Sequence, residues 1–261
     1  MTELPRRQII GTEVTIASYE QVLDRFDVAI SGGERICVCC APASTLVTAR
    51  KDDELRSALA AASVVTPDGM GVVYAARLLG EALEGRVYGP DLMLAQCERA
   101  APTGQRVWLY GGFDDEALGQ LREQLEVKFP ELQIVGGYSP PHRPLTADET
   151  SALLERINAD RPDVVWIGLG SPKQEKWMAQ VRPQLDAAVL CAVGAAFDFH
   201  AGRVRQAPVW MQRRGLEWLF RLLREPKRLG PRYLKTNPAF VLAVMGQLFG
   251  ERFKRTPAPN R

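Results

Sequence analysis

An aspartate at position 68 ends an apolar run and is followed at once by glycine, in the segment TPDGMG (66–71). The ordinary interpretation is a Pro-Asp-Gly turn in which Asp68 caps the helix that begins near Met70. The preceding residues predict a buried strand, and a carboxylate at the end of such a strand is partly desolvated. Desolvation raises the pKa of a carboxyl group and makes it a better general base. Asp68 is therefore a candidate for either role, a turn residue or a catalytic base.

Two further segments carry groups suited to an anion. In GRVYGPDLM (85–93), Arg86 has a planar guanidinium of the kind that binds phosphate, although a lone arginine is usually a solvated charge. Asp91 follows a proline and precedes a helical run, so it is expected to cap that helix. GLGSPKQE (168–175) is a turn that opens a helix, whose first N–H groups can face an anion. We expect Gln174 and Glu175 at the edge of this site, one of them on the helix surface.

The segment GAAFDFHAGRVRQAP (194–208) places Asp198 between two phenylalanines, an unusual setting for a charge that only meets water. Asp198 is a candidate for hydrogen bonding to a ribose or a base edge. The alternative is a helix cap or an ion pair with Arg203 or Arg205. The only two histidines, His142 and His200, are far apart in the sequence. This spacing does not favour a histidine metal site or a Ser-His-Asp triad.

Charge is unevenly distributed along the 261 residues. The whole chain carries a formal charge of +2. Residues 200–261 contain 14 Lys and Arg against 3 Asp and Glu, so the remaining residues carry a formal charge of −9. An acidic body with a basic last quarter predicts an anionic partner: nucleic acid, a phosphate-bearing substrate or an anionic membrane surface.

Part of this positive charge forms a pattern within residues 210–228. On one continuous helix, a single face would be shared by Arg214, Glu217, Arg221, Arg224 and Arg228. Tryptophan and leucine would lie on another face, a combination that suits a lipid headgroup phosphate and the membrane interface around it. The alternative is an amphipathic helix packed on its own domain, with its arginines in water. A proline at 226 is expected to end or kink the helix.

The hydrophobic pattern alternates between short β-rich runs and helical periodicity. Strands that are continuously hydrophobic and joined by helices predict a parallel sheet covered on both faces. Residues 7–18 predict a strand or hairpin, and we expect helices over residues 19–30, 44–62, 70–80, 91–101, 114–129, 146–160 and 172–185. The fold class is therefore α/β, a Rossmann-like and mostly parallel sheet. Glycine-bearing turns follow several strands, at the edge where such sheets bind ligands.

Several classes of site lack their sequence signals. The chain has no G-x-G-x-x-G, no G-x-x-x-x-G-K-[ST] and no D-x-D, so it has no fingerprint for dinucleotides, for Walker-type phosphate binding or for a D-x-D metal site. Three cysteines, at 37, 39 and 40, crowd one predicted strand; buried thiols are expected, with a metal or redox role as the alternative. We see no signal peptide, and the longest apolar stretch near the end (239–246) is too short to span a bilayer. A cytoplasmic protein, at most peripheral to the inner face of the membrane, is expected.

The chain resembles the WecG/TagA/CpsF glycosyltransferases (glycosyltransferase family 26) in the order and spacing of TPDGMGVVYAARLLG, RVYGPDLM, GLGSPKQEKW and GAAFDFHAGRVRQAPVWMQRRGLEWLFRLLREPKR. The resemblance covers about residues 10–235. It implies a bacterial enzyme that transfers a hexose or N-acetylhexosamine from a UDP-sugar to a polyprenyl-diphosphate-linked sugar. The products of such enzymes feed teichoic acid, capsule or exopolysaccharide synthesis.

The resemblance also implies a role for each motif residue. Asp68 matches the family's proposed catalytic base, and Arg86 matches its arginine near the donor or acceptor phosphate. Gln174 and Asp198 match residues that line the family's nucleotide-sugar pocket, and we expect Gly69, Gly112 and Gly170 to bind the UDP-sugar with them. A basic C-terminal appendage would close over the site and grip the lipid diphosphate through Arg214, Arg221 and Arg224.

One departure from the family pattern lies at the end of the first core strand. Family members commonly have a Thr-x-Asn pair there, whereas this chain reads CCAPAS (39–44). Ala41 and Pro42 cannot replace the hydrogen bonds of an amide. The choice of donor or acceptor is therefore expected to differ from that of the N-acetylmannosamine-transferring members.

The implied reaction is a single inverting displacement in which Asp68 takes the proton of the acceptor hydroxyl. Arginines and strand-end N–H groups would stabilise the leaving UDP, so neither a metal ion nor another cofactor is expected. Residues 1–200 are expected to form the nucleotide-sugar-binding domain and residues 201–261 the basic amphipathic appendage.

The expected partners are the UDP-sugar, the lipid-linked acceptor and the cytoplasmic membrane surface, and the resemblance is compatible with a homo-oligomer. The alternative is a nucleic-acid-binding protein that uses its basic tail. The Trp, Leu and Phe content of that tail and the parallel-sheet body argue against it, so nucleic acid is not expected as a partner.

Overall fold

A six-stranded parallel sheet lies at the centre of the computed structural model, which describes residues 3–255. In chain order the strands are β1 (Arg6–Ile9), β2 (Thr12–Thr15), β3 (Ile36–Ala41), β4 (Val64–Pro67), β5 (Arg106–Gly111), β6 (Gln133–Tyr138), β7 (Val164–Gly168) and β8 (Val189–Ala192). β1 and β2 form a separate antiparallel hairpin, and the main sheet has the order β4-β3-β8-β7-β5-β6. Every pairing in the main sheet is parallel, which confirms the predicted α/β class.

Helices connect the strands and cover both faces of the sheet. They are α1 (Tyr19–Gly32), α2 (Ala43–Ala49), α3 (Asp53–Ala61), α4 (Met70–Leu78), α5 (Gly89–Ala100), α6 (Asp115–Lys128), α7 (Ala147–Ala159), α8 (Lys173–Val181), α9 (Ala196–His200), α10 (Val209–Arg213), α11 (Glu217–Arg224) and α12 (Pro226–Arg255). Short 3₁₀ turns follow α5 and α8.

Successive residues of one strand enter two different hydrophobic cores. In β3, Cys37 and Cys39 pack with α2, α3, α4 and α8, while Val38 and Cys40 pack with α1 and α5 on the other face. Since both faces of β3 are buried, this strand is hydrophobic throughout, as the sequence pattern indicated. The three cysteines of β3 are buried in the strand, as expected.

The single helix predicted over residues 44–62 was wrong, because the chain forms two helices there. α2 ends at Ala49 and α3 begins at Asp53. The carboxylate of Asp52 accepts a hydrogen bond from the backbone N–H of Leu55 at 3.0 Å, so Asp52 caps α3 and starts a new helix. Periodicity alone does not show such a break.

The basic region after residue 200 is helical but not one continuous helix. Gly215 has a φ of +72°, a conformation that favours glycine, and it separates α10 from α11. Pro226 is the first residue of α12, so the predicted helix does end before it. Arg214 lies between helices, and the predicted shared face is limited to residues within α11: Glu217, Arg221 and Arg224.

α12 packs against the body of the protein. Phe240 and Val244 are buried in the core beside α2 and α4, and the Gln247 side chain accepts a hydrogen bond from Ile10 N and donates one to Gln8 O, both at 2.8 Å. Residues 256–261 of the predicted appendage, and the side chain predicted at 228, lie outside what the structure describes. Within residues 3–255, no helix combines the length and apolar character needed to cross a bilayer.

Candidate active site

A cleft of about 1250 Å³ opens at the carboxyl ends of the parallel strands. Residues that follow β3, β4, β5, β7 and β8 line it, and side chains of α11 and α12 border it. Open α/β sheets bind ligands at this edge. The structure brings eight of the ten predicted site residues into this lining: Asp68, Gly69, Arg86, Gly112, Gly170, Gln174, Asp198 and Arg221.

Asp68 faces the cleft directly after β4. It does not cap the next helix, because the capping position of α4 is Gly69, with φ +150° and no side-chain hydrogen bond, so the capping interpretation was wrong. Burial raises the pKa of Asp68 to about 7, with the charge of Arg86 lowering it and that of Glu217 raising it. A hydrogen bond from the backbone of Gly89 also favours the carboxylate. Asp68 is thus a carboxyl group that can exchange a proton near neutral pH.

The backbone around Gly89 explains how a helix terminus reaches Asp68. A Cβ atom on Gly89 would lie 3.0 Å from the carbonyl oxygen of Val193 and 3.2 Å from its Cα, so glycine favours this close approach to the residue after β8. α5 begins at Gly89, and Asp91 is its third residue. The prediction that Asp91 caps this helix was therefore wrong, since Tyr88 occupies the capping position without a side-chain hydrogen bond.

Arg86 is held by side chains from the C-terminal region. Its Nη1 donates to Glu217 Oε2 at 2.6 Å, and its Nη2 donates to Gln212 Oε1 at 2.8 Å. The guanidinium carbon lies 3.9 Å from the ring centroid of Tyr88, whose hydroxyl donates to Glu217 Oε1 at 2.6 Å. The Arg86 and Glu217 side chains are each only 12% exposed. The sequence pattern placed Glu217 in a basic stripe and did not reveal that it is the buried partner of Arg86.

The turn after β7 is held by buried polar groups of α8. Gly170 N donates to Gln174 Oε1 at 3.1 Å, and Gln174 Nε2 donates to Glu175 Oε1 at 3.1 Å. Both side chains are buried, so the expectation that one lies on the helix surface was wrong. Burial also raises the pKa of Glu175. Gln174 therefore faces the cleft with its amide orientation set by its neighbours.

Asp198 lies in α9, and its side chain borders the cleft. Its backbone carbonyl accepts hydrogen bonds from the N–H groups of Arg203 and Val204, at 3.0 and 3.2 Å. The guanidinium of Arg203 forms an ion pair with Asp114 at 3.3 Å. The backbone turn after α9 is thus anchored on the residue predicted to contact the nucleotide.

Positive charge borders the cleft on several elements. Arg221 of α11 lies over the ring of Phe199 at 5.4 Å, and its Nε has no hydrogen-bond partner among the described residues. Arg232 of α12 donates to Ser44 Oγ at 2.8 Å, and Lys173 lies at the start of α8. Arg232 and Lys173 were not predicted as site residues from the sequence. In the sequence these two residues appear only as part of the overall positive charge. Arg232 reaches the cleft through the packing of α12, which the local sequence does not indicate.

Aromatic rings line another part of the same cleft. The Tyr110 and Trp177 ring centroids are 4.3 Å apart, and those of Phe113 and His142 are 5.0 Å apart. Such rings offer flat apolar faces to a planar ligand. From the sequence, His142 was considered only for a metal site or a catalytic triad, and Tyr110, Phe113 and Trp177 were not predicted as site residues.

Arg214 and Arg224 do not belong to the described lining of the cleft. Arg214 lies over the Trp210 ring at 5.7 Å, and Arg224 lies over the Phe220 ring at 5.3 Å. Trp210 is 54% exposed. These two arginines therefore belong to an outer surface of the C-terminal region, whereas Arg221 faces the cleft.

Comparison with known proteins identifies the family. Residues 7–254 match the model of the glycosyl transferase WecG/TagA/CpsF family. The chain is 32% identical over 197 residues to the N-acetylglucosaminyldiphosphoundecaprenol N-acetyl-beta-D-mannosaminyltransferase of Bacillus spizizenii, covering 76% of this chain and 74% of that protein. It is 31% identical over 213 residues to the protein of the same name from Bacillus subtilis, covering 81% and 79%. The chain therefore belongs to the WecG/TagA/CpsF family of glycosyltransferases.

Proposed function

We propose that the protein transfers a hexose or N-acetylhexosamine from a UDP-sugar to a polyprenyl-diphosphate-linked sugar, with inversion at the anomeric carbon. The observation that carries this proposal is the carboxyl group of Asp68, with a pKa near 7, in a cleft that also presents cationic and aromatic side chains. The names of the two relatives describe a lipid-diphosphate-linked acceptor, which supports the same acceptor class here.

Asp68 acts as the general base in this scheme. Its carboxylate accepts the proton of the acceptor hydroxyl as that oxygen attacks the anomeric carbon, and the bond from that carbon to UDP breaks. The new glycosidic bond forms on the opposite face of the sugar, so one displacement inverts the configuration. A base with a pKa near the working pH is well matched to this proton transfer.

The leaving UDP requires positive charge at its diphosphate. Arg221, Arg232 and Lys173 border the cleft from three different helices and can contribute this charge together. We propose that they do so without a metal ion. The guanidinium of an arginine suits a diphosphate, because its planar N–H donors match the spacing of the phosphate oxygens.

The aromatic part of the cleft is the proposed place of the uracil ring. Stacking on Trp177 or Phe113 holds a planar base without requiring a particular hydrogen-bond pattern. At the end of β3, where the family Thr-x-Asn pair is replaced, Pro42 borders the cleft and the Thr45 hydroxyl lies 3.0 Å from that of Ser171. We propose that this edge contacts the sugar and gives the enzyme a donor or acceptor preference different from that of the two relatives.

Exposed apolar side chains support a proposed membrane contact of the C-terminal region. Val209, Trp210, Trp218 and Leu223 are 60%, 54%, 41% and 72% exposed, beside arginines of the same region. Exposed tryptophan and leucine next to cations suit the interfacial layer of an anionic membrane. We propose that residues 201–261 act as an appendage that binds the inner face of the cell membrane and the acceptor. A homo-oligomer is compatible with this arrangement, and nucleic acid is not proposed as a partner.

A thermal-shift screen of sugar nucleotides tests the proposed function. Saturating UDP-sugar is expected to raise the melting temperature by about 5 °C or more, because a ligand that binds only the native state stabilises it. GDP- and ADP-sugars serve as controls and are expected to give smaller shifts. The best donor is then assayed for transfer to a polyprenyl-diphosphate-linked sugar, with and without EDTA.

The absence of any shift with UDP-sugars, or equal shifts with all nucleotides, contradicts the proposed donor class. Transfer that is lost in EDTA and restored by a divalent cation contradicts the metal-free mechanism.

A further inference from the structure

We propose that Glu217 is a positioning residue for Asp68: by holding Arg86 and Tyr88, it makes the catalytic base depend on the docking of α11. This inference rests on the proposed role of Asp68. Glu217 belongs to the C-terminal region and contacts the catalytic body through the side chains of Arg86 and Tyr88. It is not one of the proposed reacting groups.

Both carboxylate oxygens of Glu217 accept hydrogen bonds from the catalytic body. Oε2 accepts from Arg86 Nη1 and Oε1 accepts from the hydroxyl of Tyr88, each at 2.6 Å. Glu217 is only 9% exposed, and it is the first residue of α11. Removing one partner of such a buried ion pair is strongly destabilising, because the other charge is left uncompensated. Glu217 therefore fixes α11 against the segment that carries Arg86.

A second contact between the C-terminal region and the body lies close to Asp68 in the chain. A Cβ atom on Gly215 would lie 2.9 Å from Cβ of Met70, the first residue of α4. The turn between α10 and α11 thus packs directly against the chain two residues beyond Asp68. Gln212 of α10 adds a hydrogen bond to Arg86, so both helices of this region contact the same guanidinium.

The charges around Asp68 give Glu217 a chemical effect beyond docking. The titratable groups that act on Asp68 or respond to its charge come from α1, from the segment before α5, and from α11: Tyr19, Arg86, Tyr88, Glu217 and Arg221. Arg86 and Arg221 lower the pKa of Asp68, whereas burial and the carboxylate of Glu217 raise it. The carboxylate of Glu217 therefore adds to the effect of burial, the largest influence on this pKa, by opposing the two guanidinium groups.

The decisive experiment compares the pH dependence of kcat/KM in Glu217→Gln with that of the unmodified chain. Removing the negative charge leaves Arg86 and Arg221 unopposed, so the pKa of Asp68 falls. We expect the acid limb of the profile to move about one pH unit lower. Glu123→Gln, on the exposed surface of α6, is the matched control and is expected to leave the profile unchanged.

Limited trypsin digestion of the full chain tests the docking without an activity assay. Glu217→Ala is expected to increase cleavage within residues 209–224 about tenfold or more, because α11 loses both of its buried hydrogen bonds. Tyr88→Phe removes one of those bonds and keeps every formal charge, so it is expected to increase the same cleavage to a smaller extent.

An unchanged acid limb in Glu217→Gln overturns the positioning role, even if proteolysis changes, because a purely structural ion pair would alter only stability. Unchanged proteolysis in Glu217→Ala overturns the docking role. If the unmodified chain transfers no sugar from any nucleotide donor, the proposed function has failed, and the proteolysis result still decides whether Glu217 docks α11.

Discussion

Asp68→Asn is expected to lower the rate of sugar transfer by about a thousandfold, in the middle of the range for losing a general base. Asparagine has nearly the same shape but cannot accept a proton from the acceptor hydroxyl. Binding of the UDP-sugar is expected to persist, since the nucleotide contacts proposed above lie on other residues. Initial rates with a lipid-linked acceptor, together with the thermal shift caused by the donor, measure both quantities on one preparation.

The pH dependence of the stability of the same variant provides a control for correct folding. Because the pKa of Asp68 in the folded protein is raised to about 7 from an ordinary value of 3.8, the folded state favours the protonated form. The unmodified protein therefore loses stability as pH rises from about 4 to about 7. Asp68→Asn lacks this loss and is expected to be about 4 kcal/mol more stable at pH 8, with no such advantage near pH 3.

Two outcomes would contradict this account of Asp68. Near-normal turnover of Asp68→Asn removes it as the base. An inactive variant that is also less stable than the unmodified protein at pH 8 shows that its inactivity comes from a damaged fold. Asp68→Glu keeps the carboxyl group but moves it by one methylene, and it is expected to retain more activity than the asparagine variant.

Arg86→Ala is expected to lower kcat/KM by about a hundredfold or more, the second largest effect. The guanidinium pairs with Glu217 and contributes positive charge beside Asp68, and its loss leaves the Glu217 carboxylate buried without its ion-pair partner. Because Arg86 lowers the pKa of Asp68, its removal raises that pKa, and the acid limb of the pH profile is expected to move to higher pH. This direction is opposite to that expected for Glu217→Gln.

Arg86→Lys is the matched control for this prediction. Lysine keeps the positive charge but lacks the planar fork that reaches both Glu217 and Gln212. Its acid limb is expected to stay closer to that of the unmodified protein, with an intermediate kcat/KM. Acid limbs that move in the same direction in Arg86→Ala and Glu217→Gln would contradict the charge balance described here.

Much of the fold could be predicted from local patterns. Continuous hydrophobicity in strands such as β3 and β7 arises because both of their faces are buried, and this pattern indicates a parallel sheet. The carboxyl ends of parallel strands meet at one edge, so side chains that follow different strands, such as Asp68 and Gln174, come together. The family resemblance then supplied candidate roles for residues that composition alone leaves ambiguous.

The contacts that the sequence did not reveal are those between distant segments. Arg86 and Glu217 are 131 positions apart, and nothing in the local pattern of either residue indicates the other. Arg232 reaches the cleft only because α12 packs along α2, and the predicted stripe of arginines was divided by the turn at Gly215. Local periodicity describes one helix at a time, whereas these positions depend on how three helices dock on the body.

The most direct test of the central claim is a crystal structure with a non-hydrolysable UDP-sugar analogue bound. We expect the diphosphate to lie in the cleft beside Arg221, with the anomeric carbon facing the carboxyl group of Asp68 across the space that an acceptor hydroxyl would occupy. A diphosphate and sugar bound outside this cleft, away from residue 68, would contradict the account.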